Sequence, residues 1–114
     1  MASKLNLYMP EIGPLVYYQE EFRHVLELHL EYLRSHPTTQ IVSPDEQQTI
    51  FYQKDFYGFL TYQRVPQHLH WIIMRMNFMY SPEEFTPEYK QLLQPLASTI
   101  DIIRQQYETQ QKIF

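Results

Sequence analysis

The chain has 114 residues, 44% hydrophobic and 16% aromatic, with a formal net charge of −4 and no cysteine. That length suits one domain with one modest core, and the absence of cysteine excludes a disulfide framework, thiol chemistry and cysteine-ligated zinc. The nine Lys and Arg residues are scattered from Lys4 to Lys112 without forming a basic stripe, so a nucleic-acid partner is not expected.

Mean hydropathy is −0.46, set by Gln and Tyr rather than by runs of charge. The composition is therefore not that of a disordered chain. The opening stretch, MASKLNLYMPEIGP, lacks the apolar run and cleavage site of a signal peptide. The most apolar run, residues 69–74, is too short to span a bilayer. A soluble chain made in the cytoplasm, with no membrane contact, is expected.

Residues 1–14 are expected to form an extended arm, because Pro10, Gly13 and Pro14 discourage helix. Leu5, Leu7, Tyr8 and Met9 give the arm apolar contacts to offer, either to its own domain or to a neighbouring subunit. Residues 15–114 are expected to form a single helical domain.

From Leu15 to Arg34, apolar residues recur at Tyr18, Phe22, Val25, Leu26, Leu30 and Leu33, which is helical spacing. Pro37 ends that helix. Residues 36–43 read as a loop or short extended piece. Ser43-Pro44-Asp45-Glu46 has the form of a capping box, with Ser43 as cap and Pro44 in the first helical position. Residues 47–54 admit helix or strand; a short helix is favoured, followed by a second with Asp55 as N-cap.

Pro66 is expected to open the next helix, which runs to about Asn77. Leu69, Ile72, Ile73 and Met76 form one stripe, with Trp71 and Met74 beside it, and this helix is the expected centre of the core. Ser81-Pro82-Glu83-Glu84 is a second capping box, and Thr86-Pro87-Glu88 reads as a further helix start. From Tyr89 the series Leu92, Leu93, Leu96, Ile100, Ile103 and Tyr107 keeps helical phase across Pro95. That pattern implies a long C-terminal helix, kinked at Pro95 or begun there, with a Gln-rich end that frays or projects. The expected fold is mainly α: a small single-domain helical bundle with an extended N-terminal arm and a long C-terminal helix.

Candidate chemistry is sparse. Glu21 and His24 have the Glu-x-x-His spacing of carboxylate-bridged di-iron sites, but such a site needs a second copy of the motif and the chain has none. His68 and His70 lie two apart, which on a helix turns them about 200° from each other. One is expected to be partly buried and the other outside. Gly58 sits inside an apolar segment, where a close approach by Trp71 or by another backbone would explain it. Met74, Met76 and Met79 are expected as core filler rather than as an adaptable groove. The acids at Asp45, Asp55 and Glu84 are accounted for by capping.

The order Phe56-Tyr57-Gly58, then Leu69-His70-Trp71-Ile72-Ile73-Met74-Arg75-Met76-Asn77, then Ser81-Pro82 resembles a segment of phage baseplate wedge and related small tail proteins. Those proteins carry an aromatic-Tyr-Gly, an aromatic residue or Trp followed by an aliphatic run, an Asn, and a Pro a few residues on. The resemblance implies a non-enzymatic structural subunit of a phage virion (baseplate, tail or neck), made in the host cytoplasm and held by other protein subunits. No cofactor, metal or small-molecule substrate is expected. The alternative is a small acidic binding module that inhibits or adapts a host protein. The candidate core or interface residues are Phe56, Tyr57, Gly58, Trp71, Ile72, Met76, Asn77 and Pro82, with Leu5, Leu7, Tyr8 and Met9 as candidate arm contacts.

Overall fold

A computed structural model describes residues 15–113, with side chains to residue 110. The arm and its contacts Leu5, Leu7, Tyr8 and Met9 lie outside the described residues. The rest is mainly helical. Helix α1 spans Glu20–Leu28, α2 Leu30–Ser35, α3 Glu46–Phe51, α4 Phe56–Tyr62, α5 His70–Met76 and α6 Ala97–Ile113. Strands β1, Gln40–Val42, and β2, Leu92–Gln94, form an antiparallel pair.

The first predicted helix exists but is interrupted. Leu15 and Val16 are helical, a turn through Tyr17–Gln19 leads into α1, and the chain breaks at His29, whose φ of −103° and ψ of 10° are not helical. The imidazole Nδ1 bonds the Val25 carbonyl at 2.8 Å. Phe22, Leu26, Leu30 and Leu33 keep one buried face through the bend, while Tyr18 stays exposed.

Helix α3 resolves the ambiguity over residues 47–54 in favour of helix. Its N-cap is Asp45, and no side chain caps it. The expected Ser43 cap is therefore corrected: β1 carries the chain extended to Val42, and the helix starts two residues too late for Ser43 and Pro44 to take the cap and first helical places. Asp55 caps α4 as expected, its carboxylate accepting the Gly58 N–H at 3.0 Å.

A 3₁₀ turn over Gln67–Leu69 follows Pro66 and feeds α5, whose C-cap is Asn77. Helix α5 is the centre of the molecule: Ile72, Ile73, Met74 and Met76 are all buried, with Phe22, Leu26, Phe56, Phe85 and Ile100 in the same core. Met79 joins them fully buried. Ser81 and Glu84 close a complete capping box around the 3₁₀ turn Pro82–Glu84.

The helix expected to start at Thr86-Pro87-Glu88 does not form. A turn closes from Tyr89 N–H to the Thr86 carbonyl at 3.1 Å, and the chain then enters β2. Leu92 and Leu93, read as helical phase, instead pair with Val42 and Ile41. Tertiary pairing overrides the local pattern here, and Pro95 separates β2 from α6 rather than kinking one helix. The Gln-rich end of α6 stays helical to Ile113. Tyr107 packs its ring 5.2 Å from that of Phe22, so this end docks on α1.

Asn77 joins the helical body to the sheet. Its side-chain amide donates to the Ile73 carbonyl at 2.8 Å and the Leu93 carbonyl at 3.0 Å, and its Oδ1 accepts the Leu93 N–H at 2.7 Å. One buried amide thus ends α5 and holds β2 against it.

Candidate interaction surface

Helix α5 ends in a Schellman motif. Phe78 N–H bonds the Arg75 carbonyl at 3.0 Å and Met79 N–H bonds the Met74 carbonyl at 3.1 Å. That motif places one residue in the left-handed region, normally glycine. Here it is Phe78, at φ 66°. A side chain in this conformation costs about 1–2 kcal/mol, and Phe78 is nonetheless 64% exposed.

Two arginines frame this end of α5. Arg34, from α2, donates from Nε to the Met76 carbonyl at 2.9 Å and from Nη2 to the Arg75 carbonyl at 3.0 Å. A cation at a helix C-terminus opposes the negative end of the dipole. Its guanidinium carbon lies 3.8 Å from the centroid of Phe78. Arg75 is buried and paired bidentately with Glu27, with Nη2 at 3.0 Å from Oε2 and Nε bonded to Oε1. It also donates to the Met79 carbonyl at 3.0 Å and lies 4.2 Å from the ring centroid of Tyr80, which is 78% exposed. The Glu27 carboxylate, hydrogen-bonded to Arg75, raises the already high guanidinium pKa further. The result is a pair of outward rings, each with a fixed arginine over its face.

A second aromatic group lies on α3 and α4. Tyr52 is half-buried between Phe51 at 4.8 Å and Tyr62 at 5.7 Å, and both of these neighbours are exposed.

Polar groups elsewhere have structural partners. Tyr17 donates its hydroxyl to Asp101 at 3.2 Å, and Arg104 grips the same carboxylate at 2.5 and 3.0 Å while also pairing with Glu108. Burial, followed by the adjacent Asp101 charge, pushes the Tyr17 phenol well above its usual range. The ring of His68 sits 4.7 Å from that of Tyr17, and burial lowers its pKa. His70 is buried, with Nε2 bonded to the Val65 carbonyl at 2.9 Å. Neither histidine is therefore fully outside, because the 3₁₀ turn carrying His68 faces Tyr17. Glu21 accepts from the Tyr107 hydroxyl at 3.3 Å and His24 is exposed. Among the described residues no three His, Asp or Glu side chains converge as a metal site, and no helix is long and apolar enough to cross a membrane.

The residues singled out from sequence are dispersed. Phe56, Ile72, Met76 and Asn77 are buried, whereas Tyr57, Trp71 and Pro82 are only partly so. Trp71 lies under the Arg23 guanidinium, 5.0 Å from its ring centroid, at the edge of the core. The atoms nearest to a side chain at Gly58 belong to Asp55, not to Trp71 or another backbone. A Cβ there would fall 2.1 Å from Oδ2 of Asp55, so the glycine makes room for the cap. Sequence reading missed Phe78, Tyr80, Arg34 and Arg75. The one available signal was an aromatic residue directly after the expected helix stop at Asn77.

Family models, curated proteins and solved structures were compared with this chain, and none matches.

Proposed function

We propose that this protein works through protein–protein contacts, as a non-enzymatic subunit of a larger assembly, with the Phe78–Tyr80 surface as a contact. The observation that carries this reading is Phe78: an exposed aromatic ring held in a backbone conformation that glycine would adopt at lower cost. Lys54 and Arg64 share this left-handed φ, but of the three only Phe78 sets a large apolar ring on the surface there, and strain kept at such a position supports a use for the ring. Aromatic and arginine side chains are also the types enriched in protein interfaces and in their energetic hot spots. Arg34 and Arg75 hold both rings in place, so little side-chain freedom is left to lose on association.

The resemblance of residues 56–82 to phage baseplate and tail proteins supports a virion as the assembly. Mass spectrometry of purified particles tests this. The expected result is this chain at a fixed copy number per particle. Its absence from particles, with the chain instead bound one-to-one to a host protein, would favour the inhibitor or adaptor reading.

A further inference from the structure

The charges around Phe78 and Tyr80 select what this surface can receive. Arg34 donates from Nε to the Met76 carbonyl, from Nη2 to the Arg75 carbonyl and from Nη1 to Glu31. Arg75 donates from Nε and Nη2 to Glu27 and from Nη1 to the Met79 carbonyl. Every guanidinium nitrogen of both residues is therefore engaged within the fold. An incoming carboxylate or phosphate would have to displace those partners to gain a bidentate grip, so the two arginines do not make an anion site.

The carboxylates are placed differently. Glu31 bonds Arg34 at 2.6 Å, yet its side chain is 85% exposed. Glu84 closes over the backbone of the second ring: its Oε2 accepts the N–H of Tyr80 at 2.8 Å and of Ser81 at 2.9 Å, and its Oε1 has no partner among the described residues. Glu83 stands beside it in the same turn and is exposed. With Glu27, four carboxylates stand against two arginines, an excess of two negative charges at this surface. Among the described residues no other Lys or Arg bridges any of the four.

We propose that the Phe78–Tyr80 surface docks a basic protein segment, whose Lys or Arg side chains lay their apolar stems along the two rings and set their cationic heads at Glu31, Glu83 and Glu84. This names the partner's chemistry for the contact proposed above and rests on that reading. Long basic side chains cover apolar surface with their methylene stems while the charged head stays in polar surroundings, and the two rings are the exposed apolar surface here. Opposite charge across the contact fixes its register and speeds encounter. An uncharged partner would cover Glu31 and Glu84 without pairing them, at a cost in free energy, and an acidic one would be repelled. The rings are held by arginines and the Glu84 carboxylate by two backbone N–H groups, so the site is ordered before the partner arrives.

NMR titration of the isotope-labelled full chain with capped penta-arginine, and separately with capped penta-glutamate, tests this. The amides of Phe78, Tyr80 and Glu84 are expected to shift saturably with penta-arginine and to stay in place with penta-glutamate. Glu31→Gln combined with Glu83→Gln changes two exposed side chains and should raise the Kd at least about threefold, the scale of two surface ion pairs. Phe78→Gly should raise it as well, by removing one ring from under the stems. Penta-arginine shifts confined to the acids at Glu20 and Glu21, binding of penta-glutamate at Phe78 and Tyr80, or a Kd unchanged in the charge variant would each overturn the inference. Its failure is distinct from failure of the assembly reading. A chain that sediments with a large assembly but does not bind penta-arginine at this surface overturns the inference alone, and a chain that binds it there but sediments free overturns the assembly reading.

Discussion

The guanidinium of Arg34 bonds the Met76 carbonyl at 2.9 Å while covering the ring of Phe78 at 3.8 Å. One side chain thus ends a helix and fixes an outward aromatic. Arg34→Ala should cost about 1.5–3 kcal/mol, the range for hydrogen bonds to a charged group. Arg34→Lys should recover only part of this, because an ammonium cannot span two carbonyls in the planar geometry of the fork. Urea denaturation of the three proteins measures both differences.

Asn77 is the joint between α5 and the sheet. Asn77→Ala removes three hydrogen bonds and leaves the backbone of Leu93 without its partner. The expected loss is about 2–4 kcal/mol, with the Leu93 amide exchanging faster than those in the middle of α5. Equal exchange at both places would show that β2 is held by other contacts.

Gly58 and Asp55 should behave as a coupled pair. Asp55→Ala removes a cap worth about 1 kcal/mol. Gly58→Ala gains about the same in helix propensity but displaces the capping carboxylate, since its Cβ would lie 2.1 Å from Oδ2. Alone it should be nearly neutral; in the Asp55→Ala background it should stabilise by about 1 kcal/mol. A double-mutant cycle by thermal melting reads the coupling. Additive effects would mean that the glycine serves some other close approach.

Acid should act through Asp101. The Arg104 guanidinium, with further hydrogen bonds from Tyr17 and Gln105, holds this carboxyl below its ordinary value of 3.8. Its contribution is then fully present above that value and is lost as pH falls through the lower folded-state pKa. Asp101→Asn should be less stable at neutral pH and should lose less stability than the parent protein on acidification below pH 3.8. Stability curves against pH for both proteins check the sign.

The helices were legible where periodicity and punctuation agreed. Pro66, Asn77 and the stripe Leu69, Ile72, Ile73, Met76 define α5, and Asp55 and Ser81 mark their caps. Of the sheet only β1 was partly legible, within the loop or extended piece at residues 36–43. Leu92 and Leu93 fit helical phase as well as strand, and only pairing with Ile41 and Val42 decides between them. Trp71, the largest side chain in the apolar run, sits at the edge of the core because its position on α5 turns it toward Arg23. The candidate surface was hidden for a similar reason. Arg34 and Phe78 are distant in sequence, and the aromatic directly after the stop at Asn77 was the one local signal, which does not by itself reveal a left-handed backbone.

Comparing Phe78→Gly with the parent protein, for stability and for sedimentation in native lysate, tests the central claim most directly. Glycine relieves the left-handed backbone and gives up the stacking on Arg34, worth about 0.5–1 kcal/mol at an exposed site, so the variant should melt at or above the parent temperature. The parent should sediment with a large assembly and the variant as a free chain. A variant that is equally stable and still sediments with the assembly would contradict the assignment of Phe78 to a contact, and a parent protein found only as free chain would contradict the assembly itself.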